Sequence, residues 1–374
     1  MIAMRTAIVL LALASAAVRA QEGADLRLNE IQIIGTHNSY HSGIGPNEMI
    51  WLRKVNPRAA DSLDYRHPSL TVQLDAGVRQ LELDVYGDSK AGLFAHPAAV
   101  RLVAEAGLAA DEPFDPAGIM RKPGFKVLHV QDIDFRSNCQ PFIACLQEIR
   151  AWSKAHPGHL PIFILVENKD GAPRGDYMKV TPEPLTTATF DALDAEIRSV
   201  FSRPEMIVPD DVRGRHKTLE DAVLASGWPT LQSARGKVIF LLDQRRAGPL
   251  YTKGHPALEG RVLFTNAQPG TPDAAFVEVN NPVSDPDLAP ALVRKGYLLR
   301  TMTDPGPAGV RANDTRRRDA AMASGAQILS TDYPYNEPAP SGYAVRFDRG
   351  IVRCNPVLKP AGCQAAKIGE ASGR

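Results

Sequence analysis

Glu82 and Asp84 are the residues around which chemistry can be built. In the run Gln80-Leu81-Glu82-Leu83-Asp84-Val85-Tyr86 the types alternate, with Leu81, Leu83 and Val85 on one side and the acids on the other. A period of two is that of a β-strand, and it puts both carboxylates on one face, about 7 Å apart along the chain. Carboxylates so placed repel and call for a neutralising partner. A divalent cation is a simple one, and an all-oxygen donor set suits Ca2+ first and Mg2+ second. The plain alternative is a solvated strand face, since exposed acids are common.

Other residues of the same kind recur at corresponding places. Ile31, Ile33 and Ile34 with Gly35 read as a short buried strand, and His37 and Asn38 follow it. Phe125 to Val130 reads as a third strand ending near His129. Pro161 to Glu167 is a fourth, apolar on both faces, as parallel pairing demands, and it ends in Glu167 with Lys169 just beyond. Further strands are expected at 237–242, 261–264, 275–279, 296–300 (ending in Arg300) and 327–332. Helical spacing appears at 69–76, 98–109, 142–156, 186–201 and 314–324. Residues 42–67 read as loop, and 171–236 as a long polar insertion with one clear helix.

Strands that alternate with helices form a parallel sheet covered by helices. About eight such repeats favour a somewhat irregular (β/α)8 barrel of the TIM type over an open doubly wound sheet, and no glycine-rich phosphate loop follows the first strand. In such a barrel the working groups stand at the carboxyl ends of the strands. The first four strands then bring Asn38, Glu82, Asp84 and Glu167 to one rim together with His37 and His129. Each has an ordinary explanation alone: a histidine is usually a buried hydrogen-bonding residue, and Glu167 could be a strand-end ion pair. The oxygen set would take the metal. Both imidazoles, which zinc would have claimed, are left for proton transfer near their natural pKa. A hard cation with two imidazoles is apparatus for phosphoryl transfer.

The remainder of the chain sets the context. Residues 1–20 have the charged start, apolar stretch and Val18-Arg19-Ala20 ending of a secretory leader cut after Ala20, so an exported, periplasmic or secreted protein is expected. The organisation expected after it is a barrel over 21–336 and a C-terminal extension over 337–374, with a small strand pair near Tyr343 to Phe347. With 43 basic and 42 acidic residues the charge is balanced, and Arg316-Arg317-Arg318, best read as a solvated helix face, does not make a nucleic-acid footprint. A monomer is expected. The four cysteines fall into two close pairs, favouring Cys139–Cys145 and Cys354–Cys363 among three possible connectivities.

Thr36-His37-Asn38-Ser39-Tyr40, Leu81-Glu82-Leu83-Asp84 and Pro161 to Asn168 resemble the catalytic half of Ca2+-dependent phosphoinositide-specific phospholipase C. Val127 to Phe135 and Ser324 to Pro334 are similar to its secreted bacterial branch. The resemblance covers most of residues 29–360. It implies Ca2+ held by Asn38, Glu82, Asp84 and Glu167, with Glu82 also close to the chemistry and His37 stabilising charge on the phosphorane. A second histidine would protonate the departing diacylglycerol oxygen and then activate water against a cyclic phosphate. His129 is favoured for that role, with His96 as a rim residue or reserve. Lys169 and Arg300 are candidate substrate contacts. No lipid-binding accessory domain of the family's kind is expected here, so contact with a membrane would fall to loops. Two other readings stand beside this one. A glycerophosphodiester phosphodiesterase on the same barrel normally carries His-Arg-Gly where this chain has His37-Asn38-Ser39. A non-catalytic exported binding protein would have no need of the full set of acids and imidazoles.

Overall fold

The computed structural model describes residues 26–225 and 227–370. The expected leader lies outside the described residues. Ten strands form one sheet: β1 (Ile31–Thr36), β2 (Gln80–Tyr86), β3 (Lys126–Val127), β4 (Ile162–Asn168), β5 (Val238–Leu242), β6 (Leu263–Thr265), β7 (Phe276–Glu278), β8 (Leu298–Met302), β9 (Ile328–Thr331) and β10 (Val352–Cys354). Eight of them are parallel and run in the order β6-β5-β4-β2-β1-β9-β8-β7. A single parallel bridge, Asn266 to Phe276, joins β6 to β7 and nearly closes the barrel.

The alternation in β2 has its expected meaning, with one change. Leu81, Leu83 and Val85 join the main hydrophobic core with Leu146 and Ile149 of the helix Phe142–Ala155. The polar face is not solvated: Gln80, Glu82, Asp84 and Tyr86 are all buried. Glu82 accepts a 2.7 Å hydrogen bond from Arg300 of β8, with β1 and β9 between the two strands, so this face lines the barrel interior. β4 pairs with β2 so that Glu167 lies opposite Asp84. β1 meets β2 at Gly35 and Gln80, where a Cβ on residue 35 would come within 2.5 Å of the Gln80 Cβ.

Four expectations need correction. The third strand shrinks to β3, two residues antiparallel to β2 and off the barrel path. The chain then bends back on itself, with a bridge between Val130 and Asp134, so His129 sits in a tight loop and not at a barrel strand end. Residues 42–67 contain two helices, Pro46–Val55 and Pro57–Ser62, each started by a proline in its first turn. They pack with the helix Ala98–Glu105 around a small core of Trp51, Leu52, Ala99 and Val103. Segment 171–236 carries four helices, Thr187–Val200, Pro209–Arg213, Leu219–Ala225 and Leu231–Ala234, and is the crossover from β4 to β5. It contributes Phe190, Leu193, Ile197 and Trp228 to the main core, which explains its length. The C-terminal extension forms one strand, β10, antiparallel to the start of β1. Tyr343, Val345 and Phe347 pack instead as loop against Ile34 and Leu329. Both expected disulfides are present. Among the described residues no helix is long and apolar enough to cross a membrane.

Candidate active site

The carboxyl rim begins where β1 ends. After Thr36 the chain turns sharply at Asn38, whose φ of 46° lies in the left-handed region that asparagine tolerates better than most residues. The turn is stitched to β2: the Ser39 amide donates to the Glu82 carbonyl (3.1 Å) and the Glu82 amide donates to Ser39 Oγ (2.8 Å). This places His37 over the barrel mouth. Its Nδ1 lies 2.8 Å from Asp332 Oδ1, and its Nε2 lies 3.8 Å from Glu82 Oε1. Burial opposes a charge on this ring, but Asp332 and Glu82 outweigh it and raise the His37 pKa to about 10. Asp332 is itself anchored by Asp304, whose Oδ2 accepts the Asp332 amide at 2.7 Å.

Glu82, Asp84 and Glu167 each offer a carboxylate oxygen, and these oxygens lie within 4.8 Å of one another. Lys169 neutralises part of the group, with its Nζ at 2.8 Å from Asp84 and 2.7 Å from Glu167. Asp84 is fully buried; its Oδ2 faces Lys169, and among the described residues its Oδ1 has no hydrogen-bond partner. Burial, offset only in part by Lys169, raises its pKa well above the carboxylate range. A buried carboxylate with unfilled acceptor capacity, next to two more, is a donor set that fits a hard cation. Asn38 is close by: its Oδ1 accepts a 3.4 Å bond from Tyr40, and its Nδ2 donates to the Tyr65 hydroxyl at 2.6 Å. Asp243, after β5, faces the same interior; burial, then Glu82 and Glu167, lift its pKa to about 6.

The second imidazole is held differently. Asp134 receives His129 Nδ1 at 2.8 Å on one oxygen and His41 Nε2 at 2.7 Å on the other. Asp134 and His41 are fully buried, whereas His129 keeps part of its edge open. With Nδ1 engaged, Nε2 is the nitrogen left to meet a substrate oxygen. Burial lowers the His129 pKa, Asp134 counters it, and Lys169 and His41 add to the lowering. Tyr86 fixes the loop by donating its hydroxyl to the His129 carbonyl at 3.1 Å.

The structure therefore brings together His37, Asn38, Glu82, Asp84, Glu167, Lys169 and Arg300, with His129 reaching the same rim from its loop. It leaves His96 apart, exposed on the loop ahead of Ala98–Glu105. Arg300 is buried against Glu82 and Asn280. Sequence reasoning missed Asp332, Asp243 and Glu278, which a strand-end reading extended to the later strands would have found. It missed Asp134 and His41 because their link to His129 comes from a loop folding back, which no periodicity announces.

A parallel barrel of this kind, with acids that can be neutralised by a cation and two carboxylate-held imidazoles at its carboxyl rim, defines a barrel phosphodiesterase. The chain belongs to the Ca2+-dependent phosphoinositide phospholipase C family, whose family model matches residues 26–356. Its fold is similar to that of a calcium-dependent phosphoinositol-specific phospholipase C from a Pseudomonas species, with 16% identity and a TM-score of 0.54, covering 89% of this chain and 96% of that one. It is also similar to a Ca2+-dependent phosphatidylinositol-specific phospholipase C from Streptomyces antibioticus, with 20% identity and a TM-score of 0.52, covering 88% and 99%. Nothing among curated proteins matches it. The activity is phosphodiester cleavage of a phosphoinositide, as the family membership establishes, and this decides against both the glycerophosphodiester and the non-catalytic readings.

Proposed function

We propose that this rim cleaves phosphatidylinositol in two steps, through a cyclic inositol phosphate, with Ca2+ held by Glu82, Asp84, Glu167 and Asn38. The observation that carries the reading is the convergence of the three carboxylate oxygens within 4.8 Å, with the buried Asp84 Oδ1 left without a partner among the described residues. Bound there, Ca2+ would neutralise phosphate charge and favour ionisation of the attacking inositol hydroxyl, whose proton the Glu82 oxygen that faces His37 would take. His37, kept cationic by Asp332, supplies positive charge to the pentacoordinate phosphorus. His129 gives the proton from Nε2 to the diacylglycerol oxygen as it departs, and the neutral ring then takes a proton from water in the second step. Arg300 keeps one oxygen of Glu82 fixed, so Glu82 presents the other toward His37 and the reacting groups.

The wider reading is a monomeric, exported enzyme, consistent with two disulfides, which persist in oxidising compartments. Contact with a phospholipid surface falls to the rim helices, where Ile50, Val55 and Val100 are exposed. The division at residue 337 is organisational only, since β10 belongs to the sheet. Product analysis tests the reaction: incubation with phosphatidylinositol and Ca2+ yields cyclic inositol phosphate before inositol phosphate, and glycerophosphodiesters are left intact. Appearance of the acyclic product from the outset would contradict the two-step route.

A further inference from the structure

We propose that His41, Asp134 and His129 form a second cation site, suited to a zinc-type transition metal, whose occupation stops proton transfer by His129. The inhibitory half rests on the role given to His129 above; the binding half does not.

The site differs in chemistry from the acid group beside it. Its three donor atoms, two imidazole nitrogens and one carboxylate oxygen, lie within 4.8 Å of one another. The carboxylate already bridges the two rings, at 2.7 Å from His41 Nε2 and 2.8 Å from His129 Nδ1. A metal bound tetrahedrally at about 2.0–2.2 Å to each donor requires those pairs to separate by roughly 0.5–0.9 Å from their hydrogen-bonded spacing. Nitrogen-rich sets hold zinc-type ions well and Ca2+ poorly, whereas the Glu82, Asp84 and Glu167 oxygens prefer Ca2+. The surroundings favour one geometry for the rings. The Tyr65 ring lies 4.5 Å from that of His41, and the rings of His41 and His129 meet edge to face at 5.9 Å. His41 Nδ1 is buried and, among the described residues, has no partner, so Asp134 is the group that anchors its side chain by hydrogen bonding. The partly open edge of His129 is the way in, because His41 and Asp134 are wholly covered.

Occupation has a definite consequence. A metal on His129 Nδ1 displaces the proton shared with Asp134 and leaves the ring as neutral imidazole with its one hydrogen on Nε2. That ring cannot become the imidazolium that protonates an alkoxide, and it cannot accept a proton from water, since its only basic lone pair is occupied. Zinc would therefore halt both steps while Ca2+ remains bound.

The test uses the full-length enzyme saturated with Ca2+. Zn2+ is titrated against turnover of phosphatidylinositol, and Co2+ serves as a spectroscopic probe of nitrogen coordination. One equivalent of Co2+ should produce a visible ligand-field band, and Zn2+ should displace it. Zn2+ should inhibit in a way that added Ca2+ does not relieve and a zinc chelator does. His41→Gln, each preparation compared with its own untreated rate, should need more than about 100-fold higher Zn2+, because a direct ligand is lost. Should that variant not fold, ring resonances of His41 and His129 in the wild-type protein should shift together at one equivalent of Zn2+. Absence of the band and of the joint shift overturns the site. Inhibition that Ca2+ relieves overturns it as well, because it places zinc among the acids. A band without inhibition keeps the site and overturns the proton-transfer role of His129.

Discussion

His37 and His129 are both imidazoles held by an aspartate, yet their surroundings push them apart. His37 lies between Asp332 and Glu82 and stays cationic, with a pKa raised to about 10. His129 is lowered, first by burial and then by Lys169 and by His41, with which it shares its aspartate. Two consequences follow. His129→Ala should slow a substrate with an alkoxide leaving group by about 10²–10⁴ and a phenol or thiol ester much less, because those groups leave without a proton. His37→Ala should slow both alike, and His96→Ala neither. Parallel rate measurements on the two substrates check this, and leaving-group dependence in His96→Ala would move the acid to the other loop. The second consequence concerns pH. Proton donation needs charged His129, so the transfer step falls as pH rises through the lowered His129 pKa. Asp134 raises that pKa, so Asp134→Asn should shift the falling limb to lower pH and reduce the neutral-pH rate about tenfold per unit lost. A pH–rate profile for the transfer step in both forms decides it; an unmoved limb would detach Asp134 from the proton.

At the scale of the element, strand type and order were the most legible features. Alternation in β2 and the doubly apolar run of β4 are direct consequences of a barrel with a helix layer outside, and both were readable from residue types. Glu82, Asp84, Glu167 and Arg300 were readable with them, because a strand puts its residues where its period says. The loop carrying His129 was not. Phe125-Lys126-Val127-Leu128-His129-Val130 has the composition of a strand, but only Lys126 and Val127 pair, and Gln140 occupies the Val127 backbone with its side-chain amide. Tertiary contacts overrode local preference there. The helices in 42–67 were hidden by Gly43, Gly45 and Pro46, which read as loop although Pro46 starts a helix. Where the reading of an element is sound, its weakest point can be named. Gly35→Ala puts a Cβ into the buried Gln80 side chain at the junction of β1 and β2, and overpacking of that kind costs about 1–3 kcal/mol. Chemical denaturation should show the loss, and a neutral effect would mean that the two strands can part without penalty.

The whole molecule separates support from chemistry. The Cys354–Cys363 disulfide and β10 brace the start of β1, at the opposite end of the barrel from the acids. The Cys139–Cys145 disulfide instead steadies the rim, where the neighbouring Asn138 amide donates to the Tyr40 carbonyl at 2.8 Å. Pairing by proximity made both bridges legible in the sequence. That the crossover 171–236 and the C-terminal extension belong to the core was not legible, because their apolar residues are spread among many polar ones. The account as a whole depends on a cation at the three carboxylates. Calorimetric titration of the metal-free protein with Ca2+, run beside a turnover assay at the same free Ca2+, measures this directly. One Ca2+ should bind, activity should rise with occupancy and vanish with a chelator, and Asp84→Asn should lose both together. Full turnover of phosphatidylinositol in the chelated, metal-free enzyme, or unaltered Ca2+ binding by Asp84→Asn, would contradict it.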